Sequence, residues 1–171
     1  MTSHRTATLT LPADDQILIT RDFDAPRRLV YRVWTTPELV KRWWCGERGT
    51  LDTVETDFRV GGKWRYVMWG ALADGGFEVA FHGEYREIVP EERIVWTEVF
   101  EGAPGMTPEE AEENAAVNTA VFTEKDGRTS LWLLTEVPDR TVRDAIVQSG
   151  METGVQEQMA ALEKLATSLV G

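Results

Sequence analysis

The sequence has few cysteines, few histidines and a deficit of positive charge, and each shortage excludes a class of function. Its 171 residues include one cysteine, Cys45, so no intrachain disulfide can form, as is usual in a reducing compartment. The two histidines, His4 and His82, have no cysteine cluster near them, so the sequence contains no Cys/His pattern with the spacing typical of a metal site. Lys and Arg number 18 against 29 Asp and Glu, and the net charge of -11 argues against nucleic acid and anionic membranes as partners.

Signatures of catalysis and of membrane insertion are missing as well. No G-x-S-x-G motif is present, and Gly61-Gly62 falls between two predicted strands, where we expect a turn rather than a phosphate-binding loop. No apolar run is long enough to span a bilayer, and the N-terminal residues include no apolar signal-peptide core. We therefore expect a cytoplasmic protein with no metal and no cofactor. A chain of this length is most simply one domain, residues 1–171, in which residues 1–15 are loosely ordered or form an extra edge strand.

Tryptophan, by contrast, is abundant. The chain has seven of these residues, at Trp34, Trp43, Trp44, Trp64, Trp69, Trp96 and Trp132. Each large aromatic side chain buries much area, so most of them must belong to the core. Seven in one domain is also the composition expected of a roomy pocket lined by aromatic rings.

Hydrophobic periodicity predicts an α+β fold. Apolar residues spaced three and four apart across 139–170 predict one long amphipathic helix, with Asp139 as its N-cap. Helix-start signals at Asp24 and Thr36 predict two short helices directly after the first long strand. Alternation with a period of two predicts strands at 6–11, 16–23, 51–59, 63–69, 77–88, 93–100, 117–124 and 129–137. Short turns make successive strands antiparallel, so a curved antiparallel sheet should wrap around the long C-terminal helix.

Two glycines in the predicted C-terminal helix have a structural and a functional explanation. Gly150 and Gly154 are four residues apart and therefore share one face of the helix. Close packing of the helix on the sheet is the simpler explanation of such a face. The alternative is a cavity between helix and sheet, whose flexible lining would be Met151, Val155 and Met159.

The longest stretch without a periodic pattern is residues 101–114, with the sequence EGAPGMTPEEAEEN. Its Gly, Pro and Glu content is typical of a solvated loop between two strands. Loops of this length are often functional, so a lid over the mouth of a pocket is the alternative.

Glu98 is the acid with the clearest candidate role. It shares a strand face with Ile94, Trp96 and Phe100. Desolvation among aromatic rings favours the neutral carboxyl, which could orient a ligand or move a proton. A strand twist that brings Glu98 to the rim of the sheet is an equal alternative. His82 falls on the polar face of its strand, so we expect a surface histidine rather than a general base.

Four stretches of the chain resemble one superfamily. They read DAPRRLVYRVWTTPELVKRWW (24–44), GGKWRYVM (61–68), HGEYREIVPEERIVWT (82–97) and RDAIVQSGMETGVQEQMAALEKL (143–165). Together they are similar to the START-like, SRPBCC or Bet v 1-like superfamily, and within it to the group of the activator of heat-shock-protein-90 ATPase. The resemblance implies a helix-grip fold that encloses a deep apolar cavity.

The chain also differs in two respects from members of the group that it resembles. Many relatives carry a bulky Trp or Met where this chain has Val155, so a wider pocket is expected there. The eukaryotic cochaperone of the group is similar to this chain over its C-terminal domain only, and its N-terminal domain, used for chaperone engagement, has no counterpart here. Membership of the group therefore does not imply cochaperone activity.

Pattern and resemblance together predict a protein that binds a small hydrophobic or aromatic molecule between sheet and C-terminal helix, as a carrier, a sequestering protein or a sensor. The predicted site residues are Trp64, Tyr66, Met68, Phe81, Trp96, Glu98, Met151, Val155 and Met159, with Phe122 and Trp132 from strands whose alternation is ambiguous. One alternative is a cyclase, dehydratase or hydrolase that uses Glu98 in the same cavity. Another is a protein-interaction or chaperone-linked module, and a homodimer is a further expectation.

Overall fold

The computed structural model describes residues 6–46, 49–72, 75–101 and 105–170. The strands are β1 (Thr8–Thr10), β2 (Gln16–Phe23), β3 (Thr50–Thr56), β4 (Lys63–Leu72), β5 (Gly75–Val89), β6 (Arg93–Phe100), β7 (Ala116–Lys125) and β8 (Arg128–Glu136). The helices are α1 (Arg27–Thr35), α2 (Pro37–Val40), α3 (Pro108–Glu113), α4 (Arg140–Gln148) and α5 (Met151–Ser168). The predicted α+β class and the predicted order of strands are confirmed.

The described strands form one antiparallel sheet in the order β1-β2-β8-β7-β6-β5-β4-β3. Short turns join neighbouring strands, and at the β7–β8 turn Asp126 and Gly127 both have positive φ, as a two-residue hairpin requires. The helices α1 and α2 carry the chain from β2 to β3 at the far edge. Within residues 1–15, Thr8–Thr10 form the edge strand β1, whereas residues 1–5, His4 included, lie outside the described residues.

The main core lies between this sheet and α5. Phe23, Ile94 and Phe122 of the sheet are almost fully buried in one cluster with Met159 and Leu162 of α5. Full burial of a side chain of this kind is worth about 1.5–3 kcal/mol. Helix–sheet packing is therefore a large part of what stabilises the fold, and the predicted cover of the sheet by the C-terminal helix is confirmed.

The C-terminal segment is broken into two helices, so the prediction of one continuous helix is wrong. Asp139 caps α4 as predicted, because its Oδ1 accepts a hydrogen bond from the Val142 N–H at 2.9 Å. Gly150 then has a φ of 92° and precedes α5 as its N-cap. Only glycine adopts this left-handed conformation without strain, so Gly150 marks the break and does not belong to a helix interior. Gly154 does lie within α5.

Part of the segment 101–114 is helical, which the sequence analysis did not predict. Thr107 and Glu110 form a capping box at the start of α3, in which each side chain accepts a hydrogen bond from the other's backbone N–H. His82 ties this segment to the sheet, with its Nδ1 at 2.9 Å from Glu101 Oε2 and its Nε2 at 2.5 Å from Glu112 Oε1. The side chain of His82 is only 30% exposed, so it is a partly buried link and not a free surface residue.

Candidate functional site

A cavity of about 330 Å³ opens between the sheet and the C-terminal helices. Seven residues of the predicted site line it: Met68, Phe81, Trp96, Glu98, Met151, Val155 and Met159. They lie on β4, β5, β6 and α5. The three strands are neighbours in the sheet and α5 covers them, so their side chains surround one cavity. Gly154 is also part of the wall, where the lack of a side chain leaves room.

Trp64 and Tyr66 line a smaller void of about 60 Å³ beside this cavity. Five residues line both spaces: Trp34, Trp43, Trp44, Trp96 and Glu98. Ligand pockets have volumes of about 300–1,000 Å³, so the smaller void lies below this range, and the larger cavity is the candidate ligand site.

The last two predicted residues lie elsewhere. Phe122 is buried in the core and meets Tyr31 and Trp34 edge to face, with ring centroids 5.8 and 5.6 Å apart. Trp132 is 38% exposed on the outer face of the sheet, which corrects its assignment to the cavity. Its strand neighbour Leu131 is buried and Leu133 lines the cavity, so the inward positions of β8 are one residue away on either side.

Three tryptophans of the helical segment are cavity residues that the sequence analysis did not include in the predicted site. Trp34 lies at the end of α1, and Trp43 and Trp44 follow α2. Trp34 packs on Trp43 with ring centroids 5.1 Å apart, and Trp44 meets Phe81 edge to face at 5.3 Å. The signal available in the sequence was the cluster of three tryptophans within eleven residues, 34–44.

Backbone hydrogen bonds hold several of these rings in place. Trp43 Nε1 donates to the Val33 carbonyl at 2.9 Å, and Trp64 Nε1 donates to the Thr97 carbonyl at 3.0 Å. Gly83 makes the second contact possible, because a Cβ there would lie 2.6 Å from Trp64 Nε1. This close approach explains a glycine in the interior of β5.

Glu98 extends from β6 to the boundary between the two spaces, among Trp34, Trp43 and Trp96. Burial raises the pKa of its carboxyl from 4.5 to about 7. Within the part of the chain that the structure describes, no side chain pairs with this carboxyl through a salt bridge or a hydrogen bond. The acid therefore faces an apolar cavity without a compensating charge.

The other titratable groups of the two spaces are held neutral. Burial raises the pKa of the Tyr66 and Tyr85 phenols, whose hydroxyls are hydrogen-bonded to each other. Burial, together with the nearby Asp52, raises the pKa of the Cys45 thiol to about 11, so Cys45 is an inert wall residue. Among the described residues, no three His, Cys, Asp or Glu side chains come together as metal ligands.

An antiparallel sheet that grips a C-terminal helix, with an apolar cavity between them, defines a protein of the START-like, SRPBCC-type fold. A family model described as Activator of Hsp90 ATPase homolog 1-like protein matches residues 24–167. The chain belongs to this family.

Solved structures show the same fold. A protein from Rhodobacter sphaeroides is similar with a TM-score of 0.82 at 18% identity, over 95% of this chain and 99% of that chain. A protein from Mycobacterium smegmatis has a TM-score of 0.79 at 20% identity, over 95% and 98%. A protein from Chromobacterium violaceum has a TM-score of 0.71 at 26% identity, over 88% and 96%. No curated protein matches this chain in sequence.

In the described ranges 6–46, 49–72, 75–101 and 105–170, no helix is both long enough and apolar enough to cross a membrane.

Proposed function

We propose that this protein binds a small hydrophobic molecule, aromatic in part, in the cavity between the sheet and the C-terminal helices. The observation that carries the proposal is the cavity, about 330 Å³ in volume with walls of aromatic and methionine side chains. An apolar cavity of about 150 Å³ accepts benzene, so this one has room for a ligand with two fused rings. The START-like fold of its family supports the same function.

The walls suit a ligand of irregular shape. Met68, Met151 and Met159 line the cavity from opposite sides, and the flexible thioether of methionine adapts to the surface that it contacts. Trp44 and Phe81 add flat rings that can stack on an aromatic ligand. Burial of apolar ligand surface is worth about 25 cal/mol per Å², so apolar contact supplies most of the affinity.

Catalysis by Glu98 in the same cavity is the second candidate function. A pKa of about 7 suits a general acid or base at neutral pH, and this is the observation in its favour. A reaction also needs a second polar group directed at the same ligand atom. The Tyr66 and Tyr85 hydroxyls, which line the smaller void, bond to each other, and the Thr135 hydroxyl of the larger cavity donates to Asn118, so we rank binding above catalysis.

A role as an interaction module, a homodimer and a cytoplasmic location stay predictions from the sequence. Exposed large hydrophobic residues such as Val60, Trp69, Phe100 and Trp132 lie on different elements of the described structure. Single exposed hydrophobic residues are normal on soluble proteins and do not by themselves define a docking surface.

Titration with the neutral fluorescent dye N-phenyl-1-naphthylamine tests the proposed function. We expect saturable binding of one dye per chain, since the cavity has room for one molecule of this size. Val155→Trp places a bulky ring in the cavity wall and should weaken dye binding at least about tenfold. Ala160→Trp puts the same ring on the exposed face of α5 and should leave the affinity unchanged.

Two results would contradict the proposal: no saturable dye binding, or equal affinity in Val155→Trp and the unmodified protein. Native mass spectrometry of the purified protein then addresses the ligand itself. A co-purifying molecule that is lost under denaturing conditions would reveal its mass, and its absence from Val155→Trp would place it in the cavity.

A further inference from the structure

We infer that the cavity selects a hydrophobic amine, whose protonated nitrogen sits against Glu98 and the faces of the surrounding tryptophans. This inference rests on the proposed function, because it names the class of ligand for the same cavity. Three features of the described residues carry it: the aromatic rings around Glu98, the lack of a partner for its carboxylate among them, and the lack of positive charge in the part of the cavity wall that they form.

The aromatic rings around Glu98 form a partial cage. Trp34, Trp43 and Trp96 line both spaces at the position of this acid. Trp34 is tilted by 39° against Trp43 and by 65° against Trp96, at centroid distances of 5.1 and 6.2 Å. A cation within about 6 Å of a ring centroid is attracted by the electron-rich face, and tryptophan binds it best. Differently oriented indoles around one carboxylate are the surroundings that an organic ammonium group requires.

Among the residues that the structure describes, none forms a salt bridge with Glu98. The described residues that line the cavity include no lysine, arginine or histidine. Two bonds hold other polar side chains of the wall: the Thr135 hydroxyl donates to Asn118 Oδ1 at 2.6 Å, and the Gln158 amide donates to the Trp44 carbonyl. A neutral hydrocarbon ligand would leave the carboxylate without a partner, which is unfavourable in an apolar site.

The same charge distribution disfavours anionic ligands. A fatty acid or an aromatic carboxylate would bring a second negative charge into a cavity whose wall already contains one. The chain as a whole, with a net charge of -11, repels anions and attracts cations at longer range. The neighbouring Tyr66, Tyr85 and Cys45 add no charge, since burial raises the pKa of each of these groups.

Calorimetric titration with three probes of one size tests the inference. The probes are 1-naphthylmethylamine, 1-naphthylmethanol and 1-naphthoate, which share a ring system and differ in charge. At a mildly alkaline pH, where most Glu98 is ionised, the amine should bind at least about tenfold more tightly than the alcohol, because it adds a charge-assisted hydrogen bond and a cation–π contact. The naphthoate should bind more weakly than the alcohol.

Two pairs of variants separate the site from general charge. Glu98→Gln should remove most of the amine's advantage and leave binding of the alcohol nearly unchanged. Glu152→Gln removes the same charge from the exposed surface of α5 and should change neither affinity. Trp96→Leu should weaken amine binding, whereas Trp132→Leu, on the outer face of the sheet, should not.

Each outcome decides between the inference and the proposed function. If amine and alcohol bind equally, or if Glu98→Gln keeps the preference for the amine, the inference is overturned while binding of the alcohol still supports a hydrophobic site. If naphthoate binds most tightly, the inference is also overturned. If no probe binds, both the inference and the proposed function fail.

Discussion

Replacement of Glu98 by glutamine should stabilise the protein, and the gain should grow with pH. Burial raises the pKa of this carboxyl from 4.5 to about 7, and no described residue compensates its charge. Between these two values the folded chain retains a proton that the unfolded chain has lost. The contribution of Glu98 to the free energy of unfolding therefore falls as the pH rises through this window. Above it, the folded protein bears the full penalty of ionising a partly buried carboxyl.

The size of the effect follows from the shift. A difference from 4.5 to about 7 corresponds to about 3 kcal/mol at 1.36 kcal/mol per pKa unit. Part of this destabilisation is already present at pH 5, where the unfolded carboxyl is mostly ionised. The free energy of unfolding should therefore fall by about 2–3 kcal/mol between pH 5 and pH 8 because of Glu98. Glutamine is neutral at both values and lacks this dependence. The stability gained by Glu98→Gln should thus be about 2–3 kcal/mol larger at pH 8 than at pH 5.

Urea denaturation followed by far-UV circular dichroism measures this difference. The free energy of unfolding is determined for both proteins at both pH values, and the packing change from Glu to Gln cancels because it is common to the two. Glu152→Gln, on the exposed surface of α5, serves as the control and should show no such dependence. A pH-dependent gain below about 1 kcal/mol would refute the reasoning, because it would mean that the Glu98 carboxyl keeps its ordinary pKa in the folded chain.

Two further predictions concern the surroundings of the cavity. Burial, the largest single influence, lowers the pKa of His82, but the hydrogen bonds to Glu112 and Glu101 outweigh it and raise the pKa above 6.5. The stabilisation by the hydrogen bonds of His82 to Glu101 and Glu112 should be complete below pH 6.5 and be lost as the pH rises through the folded-state pKa. An NMR titration of the His82 ring should show a lower midpoint in Glu112→Gln than in the unmodified protein. Gly83→Ala should lower the free energy of unfolding by at least about 2 kcal/mol, because the added Cβ would lie 1.8 Å from the Thr97 carbonyl oxygen. A loss below about 1 kcal/mol in urea denaturation would contradict the role given to Gly83.

Much of the fold could be predicted from the sequence because its signals are local. Alternation located the strands, and the pair Asp126-Gly127 is the turn sequence that a two-residue hairpin prefers. The break at Gly150 escaped because the apolar spacing continues across it, and side-chain spacing contains no information on the sign of φ. The helix α3 escaped although its T-P-E-E start, at 107–110, combines a capping residue, a first-turn proline and an acid at the third position.

The candidate site was less predictable, since its walls depend on packing between distant elements. Leu131, Trp132, Leu133 and Leu134 form a continuous apolar run, and such a run does not reveal which residues point inward. Trp34 lies on the apolar side of α1 whether it belongs to the core or to the cavity. Only the position of that helix relative to the sheet makes it a cavity residue. Residues from β4 and β5 were easier, because strict alternation assigns their faces.

Glu98 links the stability of this fold to recognition in its cavity. A side chain of similar shape without charge, such as glutamine, would avoid the penalty of about 3 kcal/mol that burial imposes on the carboxylate. A bound ammonium group would offset this penalty, because it pairs with the carboxylate in the same apolar surroundings that make ionisation unfavourable. The free-energy cost of ionising Glu98 therefore affects both the stability of the ligand-free protein and the affinity for an amine. Without a ligand, Glu98→Gln should be more stable than the unmodified protein, and it should bind a hydrophobic amine less tightly. If Glu98→Gln changes only one of these two properties, stability and amine binding do not depend on the same carboxylate charge.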